Sequence, residues 1–426
     1  MFLNKLRKST LVRDSGTYTI LNFTEKAIPF LILPILTRVL SKDDIGYFIL
    51  YQSIVEIIIP MMTFNIDSSI LINYYKLENK RFSVYFSNGI FLFIIIYPLI
   101  LILFNVFSTQ ISNLISFPEY WLNAVYLIVF FMFLTNLRQH IWRIKHKIIY
   151  YAFFTIGISL FRNGIGLIFV FNTFLGWKGL ILGNLIGYGI FSILAVITFF
   201  KFGLIKFEKS IPFIRDCLKT GLPLSIHKLG IWLGNAANKI IIISILGAAA
   251  TGSYGIGATF ATIITLVEDA FNKAFQPYLY EQLTNINDSK RIGLVKLTFY
   301  VYAFIISISI LSFIFGVVMV DVIFGSQYID TKGFILPLVL AAMFKGLYKL
   351  HVNYIIFTKK TILVTKITIS TGILNIILAY LFIKNFGLVG AAYSLLIINL
   401  IQYVLMFIEG NKQYPLPWLS FIRKQK

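Results

Sequence analysis

Seven basic side chains lie inside long apolar runs of this 426-residue chain: Lys26, Arg162, Lys228, Lys239, Lys273, Lys345 and Lys349. A cation at the centre of a membrane helix costs at least ~2.5–3.5 kcal/mol on insertion scales, so it normally faces a protein interior or a wet cavity. Guanidinium and ammonium groups held there are suited to bind an anion, because Coulomb attraction strengthens as the local dielectric falls. Metal chemistry has little to work with. The single cysteine, Cys217, leaves no internal disulfide and no thiolate cluster. The histidines His140, His146, His227 and His351 do not stand at metal-ligand spacing.

Helical periodicity places several of these cations on polar seams. Lys228, Trp232, Asn235 and Lys239 follow i, i+4, i+7 and i+11, a stripe about 16 Å long at 1.5 Å per residue. Glu56, Pro60, Thr63 and Asp67 make a second seam of the same period. Asn22, Lys26 and Pro29 form a third, and Lys345, Lys349 and Asn353 a fourth. Asp269 stands four residues before Lys273, the spacing of an intrahelical ion pair, and Gln276 continues that face. Glu25 is positioned to neutralise Lys26, and Lys349 to snorkel toward the cytoplasmic interface, which ranks it below Lys345. Five acids (Glu25, Glu56, Asp67, Glu268 and Asp269) oppose the seven bases. The reading is therefore of placement: Arg162, Lys228, Lys239 and Lys345 first, with Lys26, Asn235 and Lys273, line an anion-binding cavity, and Glu56, Asp67 and Asp269 are candidates for a coupling ion.

The elements carrying these residues are membrane helices. The chain is 58% hydrophobic and 13% charged, about half the charge of a soluble protein. Apolar runs of bilayer length fall at 15–37, 45–75, 84–107, 121–141, 149–172, 179–200, 220–246, 252–279, 294–320, 333–357, 361–383 and 388–408. Pro60 and Pro277 are candidate kink sites. The basic N-terminal segment enters the first run without the short core and cleavage site of a signal peptide. The termini and alternate connections hold 25 Lys and Arg, against five (Arg38, Lys42, Lys178, Lys332 and Lys384) in the opposite ones. By the positive-inside rule both termini are cytoplasmic. The same rule accounts for the net charge of +21; no nucleic-acid-binding motif accompanies it. The aromatic load is mostly lipid-facing and interfacial, with some rings available to stack on sugars.

Residues 201–219 (KFGLIKFEKSIPFIRDCLK) are the longest cytoplasmic connection and divide the spans six and six. Their basic–aromatic alternation reads as an amphipathic linker at the headgroups, between an N-terminal bundle (1–200) and a C-terminal one (220–426). A shift of 206 residues lays Leu40 and Gly46 on Leu246 and Gly252, and a similar shift pairs Gly176-x-x-Gly179 with Gly387-x-x-Gly390. Both copies run in the same direction, as in parallel repeats about an axis along the membrane normal. The fold class expected is an all-α integral membrane protein: 12 transmembrane helices in two six-helix bundles related as parallel repeats, around a central cavity. The acidic pair Asp43-Asp44 reads as part of a helix-start capping box with Ser41 rather than as acid/base machinery.

The segment Pro34-Ile35-Leu36-Thr37-Arg38-Val39-Leu40-Ser41-Lys42-Asp43-Asp44-Ile45-Gly46-Tyr47-Phe48 resembles the N-terminal signature of bacterial polysaccharide flippases. Gly252-Ser253-Tyr254-Gly255 and Gln276-Pro277-Tyr278-Leu279 are similar to the matching places of that family. The resemblance implies an O-antigen or capsule repeat-unit translocase of the Wzx type, within the multidrug/oligosaccharidyl-lipid/polysaccharide exporter superfamily, and not an enzyme. It implies undecaprenyl-pyrophosphate-linked oligosaccharide as cargo, moved by alternating access across the bacterial cytoplasmic (inner) membrane, with no cofactor and with H⁺ or Na⁺ as candidate coupling ion. A polysaccharide polymerase and a chain-length regulator are the candidate protein partners, beside membrane lipid; nucleic acid is not one. The alternative is a cation-coupled multidrug extruder of the same fold, which Glu56 and Asp67 keep open and the seven buried bases disfavour. A membrane-embedded polymerase or glycosyltransferase would need a large outer loop, and the outer connections here are short.

Overall fold

The computed structural model describes residues 10–173, 175–284, 287–358 and 360–418, and among them every regular element is helical. Fourteen α-helices follow in chain order: α1 (Thr10–Val39), α2 (Lys42–Thr63), α3 (Ile66–Tyr74), α4 (Asn79–Val106), α5 (Ser108–Ile115), α6 (Glu119–Ile144), α7 (Ile148–Thr173), α8 (Trp177–Lys201), α9 (Ile211–Asn235), α10 (Ala237–Leu246), α11 (Ala248–Thr284), α12 (Asp288–Phe324), α13 (Lys332–Phe357) and α14 (Thr361–Gln413). A 3₁₀ turn, Ser326–Thr331, joins α12 to α13. Among the described residues nine helices are long and apolar enough to cross a membrane, ten if the bent pair α9–α10 is one span. The spans expected from sequence fall on α1, α2–α3, α4, α6, α7, α8, α9–α10, α11, α12, α13 and the two arms of α14, which changes direction at Gly387. Helices α11 and α12 have 37 residues each, about 55 Å of helix, so both outrun a hydrocarbon layer of about 30 Å.

Two expected spans are broken. The run 45–75 is interrupted at Phe64 (φ 45°) and Asn65 (φ 48°), two successive left-handed residues without a glycine between α2 and α3. Pro60 lies within α2 and the break falls four residues after it, while α11 continues through Pro277. The run 220–246 bends by 45° between α9 and α10, at Ala236. That helix also begins earlier than expected: Ile214 N donates to Ser210 O at 3.1 Å, and Pro212 sits in the first turn, where a missing N–H costs nothing. Residues 211–219 are thus the start of α9. The preceding stretch, 204–210, is non-helical and stitched to α4. Asn88 Nδ2 donates to Glu208 O at 2.7 Å, its Oδ1 accepts from Ser210 N at 2.8 Å, and Ser87 Oγ accepts from Lys206 N at 2.7 Å.

The chain forms two compact units, Met1–Leu229 and Gly230–Lys426, with the boundary inside α9. In the first, Ser41 caps α2 as a full capping box with Asp44, as its sequence implies. Asp44 reaches a second helix as well, since its Oδ1 accepts from Trp177 N at 3.0 Å and so caps α8. Gly176 makes this possible, because a Cβ there would stand 2.2 Å from that oxygen. Helices α7 and α8 approach so closely that a Cβ at Gly183 or Gly187 would meet the backbone of Arg162 at 2.5–2.7 Å. In the second unit, Tyr254, Phe334, Leu338, Ala379, Ala391 and Ala392 pack into one core cluster. His351 is buried beside the Tyr302 hydroxyl, the Tyr403, Phe407 and Trp418 rings closing around it.

The repeat proposed from glycine spacing has a local conformational counterpart. Gly176 (φ 55°, ψ −134°) and Gly387 (φ 59°, ψ −140°) share a backbone conformation open essentially to glycine alone, each at the start of the last membrane helix of its half. Alanine at either position costs about 1–3 kcal/mol of backbone strain. At Gly176 it also dislodges Asp44, whereas nothing lies within 4 Å of a Cβ at Gly387. Thermal unfolding in detergent should show both variants destabilised, Gly176→Ala clearly more than Gly387→Ala.

Candidate functional site

The break between α2 and α3 frees backbone groups in a medium where water cannot satisfy them, so neighbouring side chains must. Helix α9 supplies those side chains from one face. Gly221 packs against the break itself: a Cβ there would meet Phe64 O at 2.2 Å. One turn on, Ser225 Oγ accepts from Asn65 Nδ2 at 3.0 Å, and Lys228 Nζ donates to Asn65 Oδ1. Asp67, in the first turn of α3, favours the positive end of that helix and meets His140 of α6, whose Nε2 stands 3.5 Å from Asp67 Oδ2. Arg143 Nη2 lies 3.1 Å from His140 Nδ1. Since arginine can only donate, Nδ1 accepts and the Nε2 proton points at Asp67. Asp67 is also under the electrostatic influence of Lys228. The result is a polar line, Arg143–His140–Asp67–Lys228–Asn65–Ser225, within the first unit.

Arg162 stands on α7 with different company. It is half-buried and donates from Nη1 to Tyr188 Oη at 3.0 Å, with the Tyr188 ring 5.6 Å away. Tyr51 and Glu25 are its further electrostatic neighbours. Among the described residues it makes no ion pair within 4 Å, and its buried Nε has no hydrogen-bond partner. The arginine is held in place by a phenol and a glycine-lined backbone, leaving its charge without a bonded counter-ion.

The second unit gathers α11 and α13. Asp269 Oδ1 accepts from Lys349 Nζ at 2.8 Å, and Asn272 Oδ1 accepts from Asn353 Nδ2 at 2.8 Å. Glu268 is 4% exposed, 3.8 Å from Lys349 Nζ, and also feels the charge of Lys345. The bend between α9 and α10 is covered from α14: Asn375 Nδ2 donates to Leu233 O at 3.1 Å and to Asn238 Oδ1 at 2.8 Å, and Gly372 allows the close approach.

Several expectations are corrected by these arrangements. The seam Lys228–Lys239 is not one stripe, because the 45° bend separates α9 from α10 and the two lysines fall in different compact units. The seam Glu56–Asp67 is likewise cut at Phe64–Asn65; Glu56 remains exposed on α2 while Asp67 turns to His140. Asp269 pairs with Lys349 and not with Lys273, which is exposed. The cross-helix partner sits closer than the i+4 one, and Lys349 does not snorkel. Lys239 and Lys345 are half-buried, and Lys239 has no ion pair among the described residues. The side chains of Asn22, Lys26 and Asn235 lie outside the described residues. Three participants were missed in the sequence. His140 and Arg138 sit near the C-terminal end of α6 and read as loop charges, yet Arg138 is 2% exposed with Trp142 at 4.1 Å and Phe202 at 4.9 Å from its guanidinium carbon. Glu268 was visible only as one acid among five.

Long apolar helices, two of them broken, and two compact helical units describe a polytopic membrane protein. Solved structures share the fold. The inward closed conformation of the lipid II flippase MurJ superposes with a TM-score of 0.74 at 16% identity, over 92% of this chain and 87% of that one. An inward-facing multidrug resistance MATE family transporter follows at 0.68 and 16% identity, over 93% and 98%. The chain belongs to the polysaccharide biosynthesis protein family, whose model matches residues 11–282. It is also 24% identical over 408 residues to a protein of the Lsg locus of Haemophilus influenzae, covering 92% of this chain and 97% of that relative. A second membrane protein of Haemophilus influenzae is 23% identical over 365 residues, 83% and 85% of the two chains.

A double-mutant cycle checks the pairing in the second unit. Asp269→Asn and Lys349→Gln should couple by about 1 kcal/mol, the scale of a half-exposed ion pair, while Asp269→Asn with Lys273→Gln should be additive.

Proposed function

We propose that this protein is a flippase that carries undecaprenyl-pyrophosphate-linked oligosaccharide repeat units from the cytoplasmic to the outer face of the bacterial cytoplasmic membrane by alternating access, for O-antigen, capsule or exopolysaccharide assembly. The charge asymmetry of the connections supports a cytoplasmic location for both termini. The observation that carries the reading is the set of membrane-embedded cations whose bonded partners are neutral. Arg162 rests on a tyrosine hydroxyl, Lys228 on an asparagine amide, and Lys239 has no ion pair among the described residues. Such groups keep their positive field for a ligand, and a pyrophosphate offers several charged oxygens to them. The sugar headgroup needs the polar lining that the broken helices provide, and the polyprenyl tail stays in lipid. Lys345 and Lys273 of the second unit, and Lys26 and Asn235 by their sequence positions, belong to the proposed lining.

A multidrug extruder would exchange organic cations and would need available carboxylates. Asp67 and Asp269 are each engaged by a base, His140 and Lys349, which leaves Glu56, exposed on α2, as the unengaged one of the three candidates among the described residues. The polymerase and chain-length regulator that extend exported repeat units are the protein partners this function calls for.

Deleting the gene should cause complete lipid-linked repeat units to accumulate on the cytoplasmic face with loss of surface polysaccharide. Normal surface glycan with heightened sensitivity to cationic dyes would instead establish drug export. Neutralising the carriers of the charge, Arg162→Gln or Lys239→Gln, should reduce translocation about 10–100-fold, the scale of one charge-assisted contact, with the protein still inserted in the membrane. Unimpaired transport in both variants would remove the pyrophosphate-binding role assigned to them.

A further inference from the structure

Glu268 is in an unusual position for a carboxyl group. It lies on α11 within the second unit, 4% exposed, and neither carboxyl oxygen has a hydrogen-bond partner among the described residues. A small cavity beside it is lined by Ile264, Val267 and Phe271 of α11 and by Phe304, Ile305 and Ile308 of α12. From α13 it is pressed against the backbone at Gly346, where a Cβ would stand 1.7 Å from Oε1. The charged groups facing it are Asp269 on its own helix and Lys345 and Lys349 on α13; the face of α12 packed against it is apolar. Lys349 Nζ is 3.8 Å from Glu268 Oε2 and 2.8 Å from Asp269 Oδ1.

A carboxylate anion without a bonded partner in an apolar setting is costly, whereas the neutral acid is not. The arrangement therefore fits Glu268 as the acid while Lys349 bonds to Asp269. Loss of the proton would place a second anion within about 4 Å of the same ammonium, and a cation between two carboxylates moves toward the less hydrated one as attraction grows in low dielectric. The Asp269 side chain is 47% exposed against 3% for Glu268, so of the two carboxylates Glu268 is by far the more enclosed. We propose that Glu268 takes up and releases a proton, and that this proton decides which of two adjacent carboxylates holds Lys349, making the α11–α13 contact the ion-driven element of the transport cycle. The step is a simple ionisation: the O–H bond of the Glu268 carboxyl breaks, the electron pair stays on oxygen, and the proton goes to water. Gly346 is part of the device, since any larger residue would push the carboxyl out of the dry site. The coupling to cargo rests on the flippase reading above, whereas the proton site does not.

Infrared spectroscopy of the full-length protein in lipid tests the site without any substrate. Wild type should show the C=O absorption of a protonated glutamic acid that fades as the medium becomes alkaline. Glu268→Gln should lack it, and Lys349→Gln should retain it to higher pH because the competing ammonium is gone. A spectrum indifferent to Glu268→Gln, or a Glu268 ionised from mildly acid to alkaline pH, overturns the proposal. Transport of lipid-linked oligosaccharide supplies the second arm: its pH dependence should be lost in Glu268→Gln. A pH dependence retained in that variant overturns the coupling. If the absorption titrates as expected but wild-type protein moves no lipid-linked saccharide, the proton site stands and the substrate assignment fails.

Discussion

Hydrocarbon offers no hydrogen bonds, and that absence organises this molecule. A helix can cross the bilayer unaided because it satisfies its own backbone; a broken helix cannot. Where α2 gives way to α3, Asn65 turns its amide toward Ser225 and Lys228, and Gly221 lets α9 come up against the exposed carbonyl of Phe64. Where α9 gives way to α10, Asn375 and Gly372 of α14 play the equivalent part. In each case a glycine brings a neighbouring backbone close and an amide or hydroxyl completes the bonding. Polar residues cluster at these breaks because the breaks require them.

Much of the architecture was legible in the residues. The apolar runs coincide with helical chain, Ser41 and Asp44 form the cap their spacing implies, and the glycine pairs at 176/179 and 387/390 open the final helices of their halves. What periodicity could not supply was the interruption of a helix. Neither Phe64-Asn65 nor Ala236 carries a proline or glycine, the usual punctuation, so seams that look continuous in sequence are cut in space. The partners of charges were equally hidden. An i+4 rule pairs Asp269 with Lys273 by default, yet α13 presents Lys349 at bonding distance. Tertiary proximity overrides helical spacing whenever a second helix is near.

Burial also reassigns residues that composition treats as surface. Arg138 belongs, by counting, to the cytoplasmic charge that orients the chain. It is instead enclosed by Trp142, Phe199 and Phe202, whose ring faces replace water around the guanidinium. Glu268 shows the converse: an acid beside Asp269 and Lys273 reads as a counter-charge for nearby lysines, but it is Asp269, one residue on and less enclosed, that takes the bond. Adjacent residues on a helix point about 100° apart, and here that angle separates a half-exposed carboxyl from a buried one.

The close approach of α7 and α8 bears on how a carrier of this kind diversifies. Gly183 and Gly187 pack against the main chain of Arg162, Gly187 against its Cβ as well, so the place of that residue is fixed by two hydrogen atoms standing where methyl groups would otherwise be. A lineage can exchange the residues around the arginine, Tyr188 among them, without moving the charge. Drift at either glycine, by contrast, would displace it along with the whole helix. Variation is thereby channelled to the side chains that surround the cation, and its place along the helix pair is inherited as a constant.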